Sequence, residues 1–411
     1  MTRESTEQTD RGHAPLWMTL AWAGMLAASW TWVIGMFLPV MLVRDHGLLG
    51  FLAFAVPNML GAAAFAWWVT SAQRSEAFVG LHRRAGMGFS DVTIMFHAFG
   101  VTCLILPLFG WTWALGTVAL GAVVWGLAVW SIVSVAWLGL ALVGVSVAVV
   151  GLFLQRAPEP GAIVDLAITG ERAVSMLWLL PVMAGGFLLC PYLDLTFHRV
   201  RERCSVSAGK LAFAIGFGGL FAVMIVLSVF YAPYVVDLFA AEGPVVLPTA
   251  VVLWLGIHVC GQTAYTVGLH LHEVTSRRGG HGVFRVMVFS IVAAAAGFWV
   301  YGAPLELRGE RIELGYRLFL LAYGLLFPAY VLICVVPPPR VMELRMAWRV
   351  CLVTVIVASP MAYAGFVDGR QPWWSLGALG VIGLGRLALR WVPTEHRPLM
   401  AARSSGDQAK V

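Results

Sequence analysis

The sequence predicts an all-α polytopic membrane protein with about twelve transmembrane helices. Hydrophobic residues make up 60% of the 411 positions and charged residues only 12%, too few charges for the surface of a soluble domain of this length. The apolar residues fall in long runs, and about 20 consecutive apolar residues let a helix cross a bilayer. Basic residues cluster in alternate loops between these runs, as the topology of a polytopic protein requires.

The apolar runs place the individual helices in order along the chain. We expect them at 16–43, 48–70, 91–110, 112–133, 135–155, 174–197, 210–236, 246–270, 283–302, 314–336, 346–366 and 372–392. Residues 111–154 carry no charge, and their length fits two crossings joined by a tight turn near residues 131–134. The polar loop that contains Glu306, Glu310 and Glu313 interleaved with Arg308 and Arg311 indicates a solvated hairpin or short helix.

The distribution of Arg and Lys predicts the orientation. With a cytoplasmic N-terminus, the cytoplasmic side holds 20 of the 27 basic residues, so we expect both termini to lie in the cytoplasm. The tails then cover residues 1–14 and 393–411, and the Arg-rich composition fits a bacterial inner membrane. The basic residues are scattered over short loops, a pattern that argues against a nucleic-acid partner and leaves the lipid bilayer as the expected environment.

Two helices in corresponding positions carry glycine and proline inside an apolar run. Gly35 and Pro39 lie in the first helix, and Gly185 and Gly186 lie in the sixth. A five-helix unit repeated in tandem must be inverted, and paired interrupted helices indicate a binding site at mid-membrane. We therefore expect a 5+5 inverted repeat formed by residues 15–155 and 174–336, followed by two additional helices in 346–392.

The same segments resemble known transporters. Residues 33–40, followed by Gly47 and the run 51–68, resemble the first two helices of the amino acid–polyamine–organocation superfamily. Residues 184–192, with Arg199 beyond them, resemble the matching helix of sodium:solute symporters. The resemblance implies the leucine-transporter type of fold, in which hydroxyls of the eighth helix help to hold a cation.

That cation role can fall only on Thr263 and Thr266, although the adjacent Thr/Ser pair of that family is missing here. The resemblance leaves Na⁺ or H⁺ as the candidate coupling ion. The fifth helix carries no ionisable residue for a proton, so that variant of the family mechanism is absent.

Ionisable residues inside a span are costly and are candidates for function. Asp194 and His198 are one helical turn apart and, with His258, form a candidate proton relay. The alternative for the first two is a pair that caps the end of the helix. His97 is a candidate for solute binding, or else it makes a hydrogen bond between helices.

These observations predict a secondary-active transporter of a small neutral or zwitterionic organic solute, working by alternating access. The expected solute site comprises the two helix interruptions, two polar side chains and three aromatic gates: Gly35, Phe37, Pro39, His97, Thr102, Gly185, Gly186, Phe187 and Tyr192. The alternative is a sensor or scaffold that keeps the fold without transport.

A polytopic enzyme is less expected, because the chain has no histidine boxes, no serine-nucleophile motif and no nucleotide-binding loop. The six cysteines lie singly and predict neither disulfides nor a metal site, so we expect no cofactor. The oligomeric state is left open.

Overall fold

The computed structural model describes residues 15–155, 173–239, 247, 249–278, 280–336 and 344–389. Within these ranges the chain is all α, and 10 helices are long and apolar enough to cross a membrane. The protein is therefore a polytopic helical membrane protein, as predicted. The two tails, the loop at 156–172 and Arg340 lie outside the described residues.

The helices follow one another with short connections. Their bounds are α1 Leu16–Trp30, α2 Val33–Trp68, α3 Ala72–Gly100, α4 Leu106–Phe109, α5 Trp111–Trp130, α6 Ile132–Leu154, α7 Ala173–Leu189, α8 Leu195–Arg203, α9 Val206–Ile215, α10 Ala222–Val235, α11 Thr249–Arg278, α12 Gly280–Tyr301, α13 Leu305–Leu321, α14 Phe327–Tyr330, α15 Leu344–Ala362 and α16 Trp374–Ala388. Single π-helical turns join α3 to α4, α9 to α10, and α13 to α14.

The first predicted helix is discontinuous, but its interruption precedes the predicted place. The chain leaves helical geometry at Thr31 and Trp32, between α1 and α2. Gly35 and Pro39 lie within α2, so placing the break at residues 35–39 was wrong by about one turn. Proline at the interior position 39 removes one hydrogen bond of α2, but the helix continues through it.

The sixth predicted helix is also discontinuous, and here the break follows the predicted place. Gly185 and Gly186 are inside α7, and the chain then forms a 3₁₀ turn over Cys190–Leu193. Asp194 is extended and caps α8, its carboxylate accepting the Thr196 amide at 2.7 Å. Proline and the capping aspartate, rather than the glycine pair, therefore set this interruption.

Other boundaries differ where helices leave the apolar layer. Helix α3 begins at Ala72 and bends at His82, nine residues before the predicted start of the third span at residue 91. Helix α11 continues to Arg278, and α13 begins at Leu305. Each added segment is polar and amphipathic, so a search for apolar runs does not detect it. Gly47, with φ of 62°, lets α2 reverse direction between the first and second spans.

The spans pack in pairs around the two interrupted helices. Helix α3 packs against α12, α5 against α11, and α1 against α6. Helices α5 and α12 expose apolar side chains such as Leu115, Val118, Ile291 and Val292 on their outer faces, as expected for contact with lipid. The inverted repeat and its domain boundaries stay predictions.

Candidate functional site

The two helix interruptions meet in the buried centre of the bundle. The Thr196 hydroxyl at the start of α8 lies 3.3 Å from the Ser29 hydroxyl at the end of α1. Both residues are fully buried. Two C-terminal and two N-terminal helix ends therefore converge on one region, and they bring partial charges of both signs to it.

His97 binds the first interruption directly. Its Nε2 accepts the amide of Val33, the first residue of α2, at 3.4 Å, while Nδ1–H donates to the Thr93 carbonyl at 2.7 Å. The ring is fully buried and neutral in this arrangement, because one nitrogen donates and the other accepts. His97 therefore satisfies an unpaired amide at a helix start, which is the interhelical hydrogen bond that the sequence left as the alternative, and it lines neither of the two cavities described below.

A small cavity of about 10 Å³ lies between the interruptions, room for about one water. Its lining consists of Trp30, Trp32, Ile34, Gly35, Asn58, Phe187, Cys190 and Tyr323. The Trp30 indole donates to the Asn58 amide oxygen at 2.7 Å, and the Cys190 thiol donates to the Tyr323 carbonyl at 3.0 Å. Pro39 has no amide hydrogen, so the Gly35 carbonyl lacks its usual helical donor.

A larger apolar cavity of about 80 Å³ lies beside the first. Gly185, Gly186 and Phe187 of α7 line it, together with residues from the tenth span and from α15 and α16. Phe187 and Tyr323 line both cavities and thus separate them. The role of Phe187 as an aromatic gate stays a prediction.

Ion pairs close one face of the bundle. We define the Arg44 cluster as Arg44, Asp45, Glu313 and Arg317. Arg44 bonds to Asp45 at 2.8 Å and to Glu313 at 2.9 Å, and Arg317 bonds to the same two acids at 2.9 and 2.8 Å. The cluster ties the end of the first span to α13. The segment predicted as a hairpin or short helix is the start of α13, and of its five charged residues Glu313 joins this interhelical network.

The face that carries α8 is closed by a second network, the Glu273 cluster of Arg199, Glu202, Glu273 and Arg277. Arg199 binds Glu273 through two bonds of 2.7 and 3.0 Å, and Arg277 binds the same acid at 3.0 Å. Arg277 also lies 3.7 Å from Glu202. These contacts join α8 to α11, as the Arg44 cluster joins α2 to α13.

Several predicted residues lie away from the two cavities. Phe37 and Pro39 are buried within α2 and line neither one. The Thr102 hydroxyl donates to the Phe99 carbonyl at 2.9 Å, which satisfies it within its own helix. The Tyr192 ring packs against Phe65 and Trp68, with ring centres 5.8 and 4.4 Å apart. The structure therefore does not bring these residues together with the other predicted solute-binding residues.

The eighth span, α11, places its two threonines beside the first interruption. The Thr266 hydroxyl donates to the Ala28 carbonyl at 3.4 Å, and the Thr263 hydroxyl is buried without a partner among the described residues. His258 lies farther along α11 against Tyr231, with ring centres 5.8 Å apart. The cation role of the threonines stays a prediction.

The structure does not assemble the predicted proton relay. The His198 ring bonds to the Ser75 hydroxyl at 2.8 Å and to the Tyr192 carbonyl at 3.0 Å, and it points away from the Asp194 carboxylate. His258 is three helical turns from the part of α11 that faces Asp194. The Asp194 carboxylate instead faces His270. The sequence places His270 at the end of a span, because the residues of α11 that follow it are polar.

The sequence analysis also missed the aromatic side chains of the cavity. Trp30 and Trp32 pack edge to face at 4.5 Å between ring centres, and Trp32 packs against Tyr323 at 5.1 Å. Tryptophan in a membrane chain indicates interfacial anchoring first. Trp30 and Trp32 lie close together inside an apolar run, far from both of its ends. This position distinguishes them from tryptophans that anchor a helix at the membrane interface.

No protein-family profile matches this chain, and no curated protein matches it either. Solved structures include proteins whose fold is similar to that of this chain. The manganese transporter of Eremococcus coleocola, in complex with an aromatic bis-isothiourea substituted compound, is 14% identical with a TM-score of 0.54, over 93% of this chain and 98% of that one. A histidine-to-alanine mutant of the same transporter is 13% identical with a TM-score of 0.53, over 93% and 95% of the two chains. This similarity shows a shared membrane-protein fold.

Proposed function

We propose that this chain is a secondary-active transporter that moves a small neutral or zwitterionic organic solute by alternating access. The observation that carries the proposal is the meeting of two interrupted helices at a buried cavity, with ion pairs closing both faces. Non-helical backbone at membrane depth is tolerated where it is buried in protein or lines a cavity. Such interruptions are where transporters bind their substrates.

The lining of the central cavity supports the solute class. It contains an amide, a thiol, two indoles and a phenol, and the described lining has no charged side chain. Helix starts favour a carboxylate and helix ends favour an ammonium group, so the converging half-helices suit a zwitterion. The aromatic faces of Trp30, Trp32 and Tyr323 suit an ammonium group in addition.

Coupling to a cation gradient fits the position of Thr266. Its hydroxyl reaches the last turn of α1, where carbonyls lose their helical donors, and the buried Thr263 hydroxyl lies one turn away on the same helix. Movement of α1 relative to α11 would change the spacing of these oxygens. A bound cation would thereby favour one arrangement of the interrupted helix over the other.

Transport of a divalent metal is the second candidate, because a protein of similar fold is a manganese transporter. Manganese prefers carboxylate, carbonyl and water oxygens, usually six of them. The described lining of the central cavity offers the Asn58 amide and the Cys190 thiol but neither a carboxylate nor an imidazole. The donor set therefore favours the organic solute.

Uptake into liposomes tests the proposal. The purified protein is reconstituted, inward Na⁺ or H⁺ gradients are imposed, and uptake from a mixture of amino acids, amines and other small zwitterions is measured by mass spectrometry, with Mn²⁺ uptake measured in parallel. Trp32→Leu, at the cavity, is expected to lower uptake at least about tenfold, the equivalent of ~1.4 kcal/mol. Trp137→Leu, on a partly exposed tryptophan of α6, is the matched control and is expected to keep it.

Each contrary result points elsewhere. Gradient-driven uptake of Mn²⁺ without any organic solute would favour the second candidate. Absence of all uptake from correctly folded protein would favour a sensor or scaffold. Equal uptake by the two tryptophan variants would remove the central cavity from the transport path.

A further inference from the structure

Asp194 and His270 face each other across the second interruption, each with one atom unpaired. Both side chains are fully buried, and 4.0 Å separates Asp194 Oδ2 from His270 Nε2. Neither atom has a hydrogen-bond partner among the described residues. Buried polar atoms of this kind are rare, because each costs free energy.

The opposite atom of each side chain is fixed. Asp194 Oδ1 accepts the Thr196 amide at 2.7 Å and so caps α8, while His270 Nδ1 lies 3.1 Å from the Ser90 hydroxyl of α3. The rings of Trp32 and Phe89 flank the imidazole, with centres 5.9 and 6.2 Å away. The two free atoms are therefore held toward one another in an otherwise apolar gap.

A proton is the ligand that this gap fits. One proton between a carboxylate oxygen and an imidazole nitrogen satisfies both atoms, and a bond of that type spans about 2.7–2.9 Å. A metal ion needs four or more donors. Among the described residues, no group of three or more His, Cys, Asp and Glu side chains could hold one.

We propose that Asp194 and His270 together bind the coupling proton of the transport cycle. A proton from water joins the pair at Oδ2 or Nε2, the charge of the pair rises by one, and no bond between heavy atoms forms or breaks. Contraction of the 4.0 Å gap to hydrogen-bond length draws the start of α8 toward α11. The proton thereby acts on the half-helix that follows the second interruption, whose Cys190 lines the solute cavity. The coupling role rests on the proposed function, whereas proton binding does not.

The neighbouring ionisable groups are already engaged. Glu273, one turn further along α11, is paired with Arg199 and Arg277. His97 of α3 has both ring nitrogens bonded. The Tyr323 hydroxyl lies 2.9 Å from the Thr93 hydroxyl, and the Cys190 thiol donates to a carbonyl. Of these groups and the pair itself, only Asp194 and His270 keep an unpaired atom among the described residues.

Infrared difference spectroscopy tests proton binding without a known solute. Spectra of the lipid-reconstituted protein are recorded between about pH 5 and 9, and bands of a protonated carboxyl or an imidazolium are followed. Asp194→Asn keeps a good capping side chain and is expected to abolish the titrating signal. His270→Gln is expected to move its midpoint by at least about one pH unit, the scale of a lost close partner.

His258→Gln is the matched control, since His258 is an equally buried histidine of α11 whose two ring nitrogens have no hydrogen-bond partner in the described part of the chain. The signal is expected to persist unchanged in this variant. A titrating signal that survives in both Asp194→Asn and His270→Gln overturns the proposal. Loss of the wild-type signal on addition of Mn²⁺ also overturns it, because the pair would then be a metal site. If Asp194→Asn does not fold, His270→Gln alone tests the proposal, and an unchanged midpoint of the titrating signal in that variant refutes it. Absence of solute uptake alongside an intact signal would count against the transporter and leave the proton site standing.

Discussion

Arg317→Ala should open the face of the bundle that the Arg44 cluster closes. The guanidinium of Arg317 bonds to Asp45, to Glu313 and to the Phe366 carbonyl at 2.8–2.9 Å, and thus ties the first, tenth and eleventh spans together. Bonds to charged groups contribute about 1.5–3 kcal/mol each. These side chains remain 16–18% exposed, and Arg44 still pairs with both acids, so the net loss is smaller.

We expect a net shift of about 1–2 kcal/mol toward the open arrangement, a factor of about 5–30 in its population. Cys190 reports on it, because its thiol lines the central cavity and is 1% exposed. The other five cysteines are replaced, and the rate of maleimide labelling at Cys190 is measured in lipid. When opening is fast relative to labelling, the rate follows the open population.

The matched control is Arg370→Ala. Arg370 pairs with Asp368 at 3.1 Å, but its side chain is 84% exposed, and such a pair contributes little. We expect this variant to label at the wild-type rate. If Arg317→Ala does not label faster, or if both variants accelerate labelling equally, the Arg44 cluster does not hold this face closed.

Two further substitutions test the packing at the interruptions through thermal stability in detergent. Gly61→Ala should lower the melting temperature, because a Cβ there would lie 2.3 Å from the Phe187 carbonyl oxygen and overpacking costs about 1–3 kcal/mol. Gly126→Ala is the control and should keep the wild-type melting temperature, because no atom lies within 4 Å of the added Cβ. Equal melting temperatures of the two variants would contradict the close approach of α2 and α7. Asn58→Ala should cost about 1–3 kcal/mol by leaving the buried Trp30 indole without its acceptor, and an unchanged melting temperature would show that water replaces the amide.

The sequence predicts the class of fold well because membrane insertion imposes a simple rule. Every span must be a long apolar helix, and length and composition identify such segments without knowledge of their partners. The glycine and proline content of the first and sixth spans also predicts that both are discontinuous, although neither residue type makes the break in the first span. The position of each break is not predicted in this way, since Pro39 is accommodated inside α2 while Thr31 and Trp32 leave helical geometry without any strong breaking residue.

The candidate site is less predictable because its contacts join distant parts of the chain. His97 could be named from sequence as a buried polar residue, but its partner, the Val33 amide, becomes available only where α1 ends. His198 and Asp194 are a turn apart in sequence, yet Asp194 lies outside α8 as its cap, which turns the two side chains to different neighbours. Spacing along a helix predicts a shared face only where the helix is continuous.

In the proposed alternating-access cycle, the Arg44 cluster, the Glu273 cluster and the small central cavity correspond to one state, with both faces closed. The Arg44 cluster and the Glu273 cluster restrain opposite ends of the interrupted spans, so opening either face requires one network to break while the other persists. The Asp194–His270 pair lies between them, where Asp194 caps α8 and His270 belongs to α11; α8 is the half-helix that Arg199 anchors to Glu273. A proton at that pair changes the contacts of α8 and α11 at the same interface as the Glu273 cluster. Charge at the interruption and closure of that face are therefore expected to depend on each other, and Glu273→Gln should alter the titration of the pair as well as the exposure of the cavity.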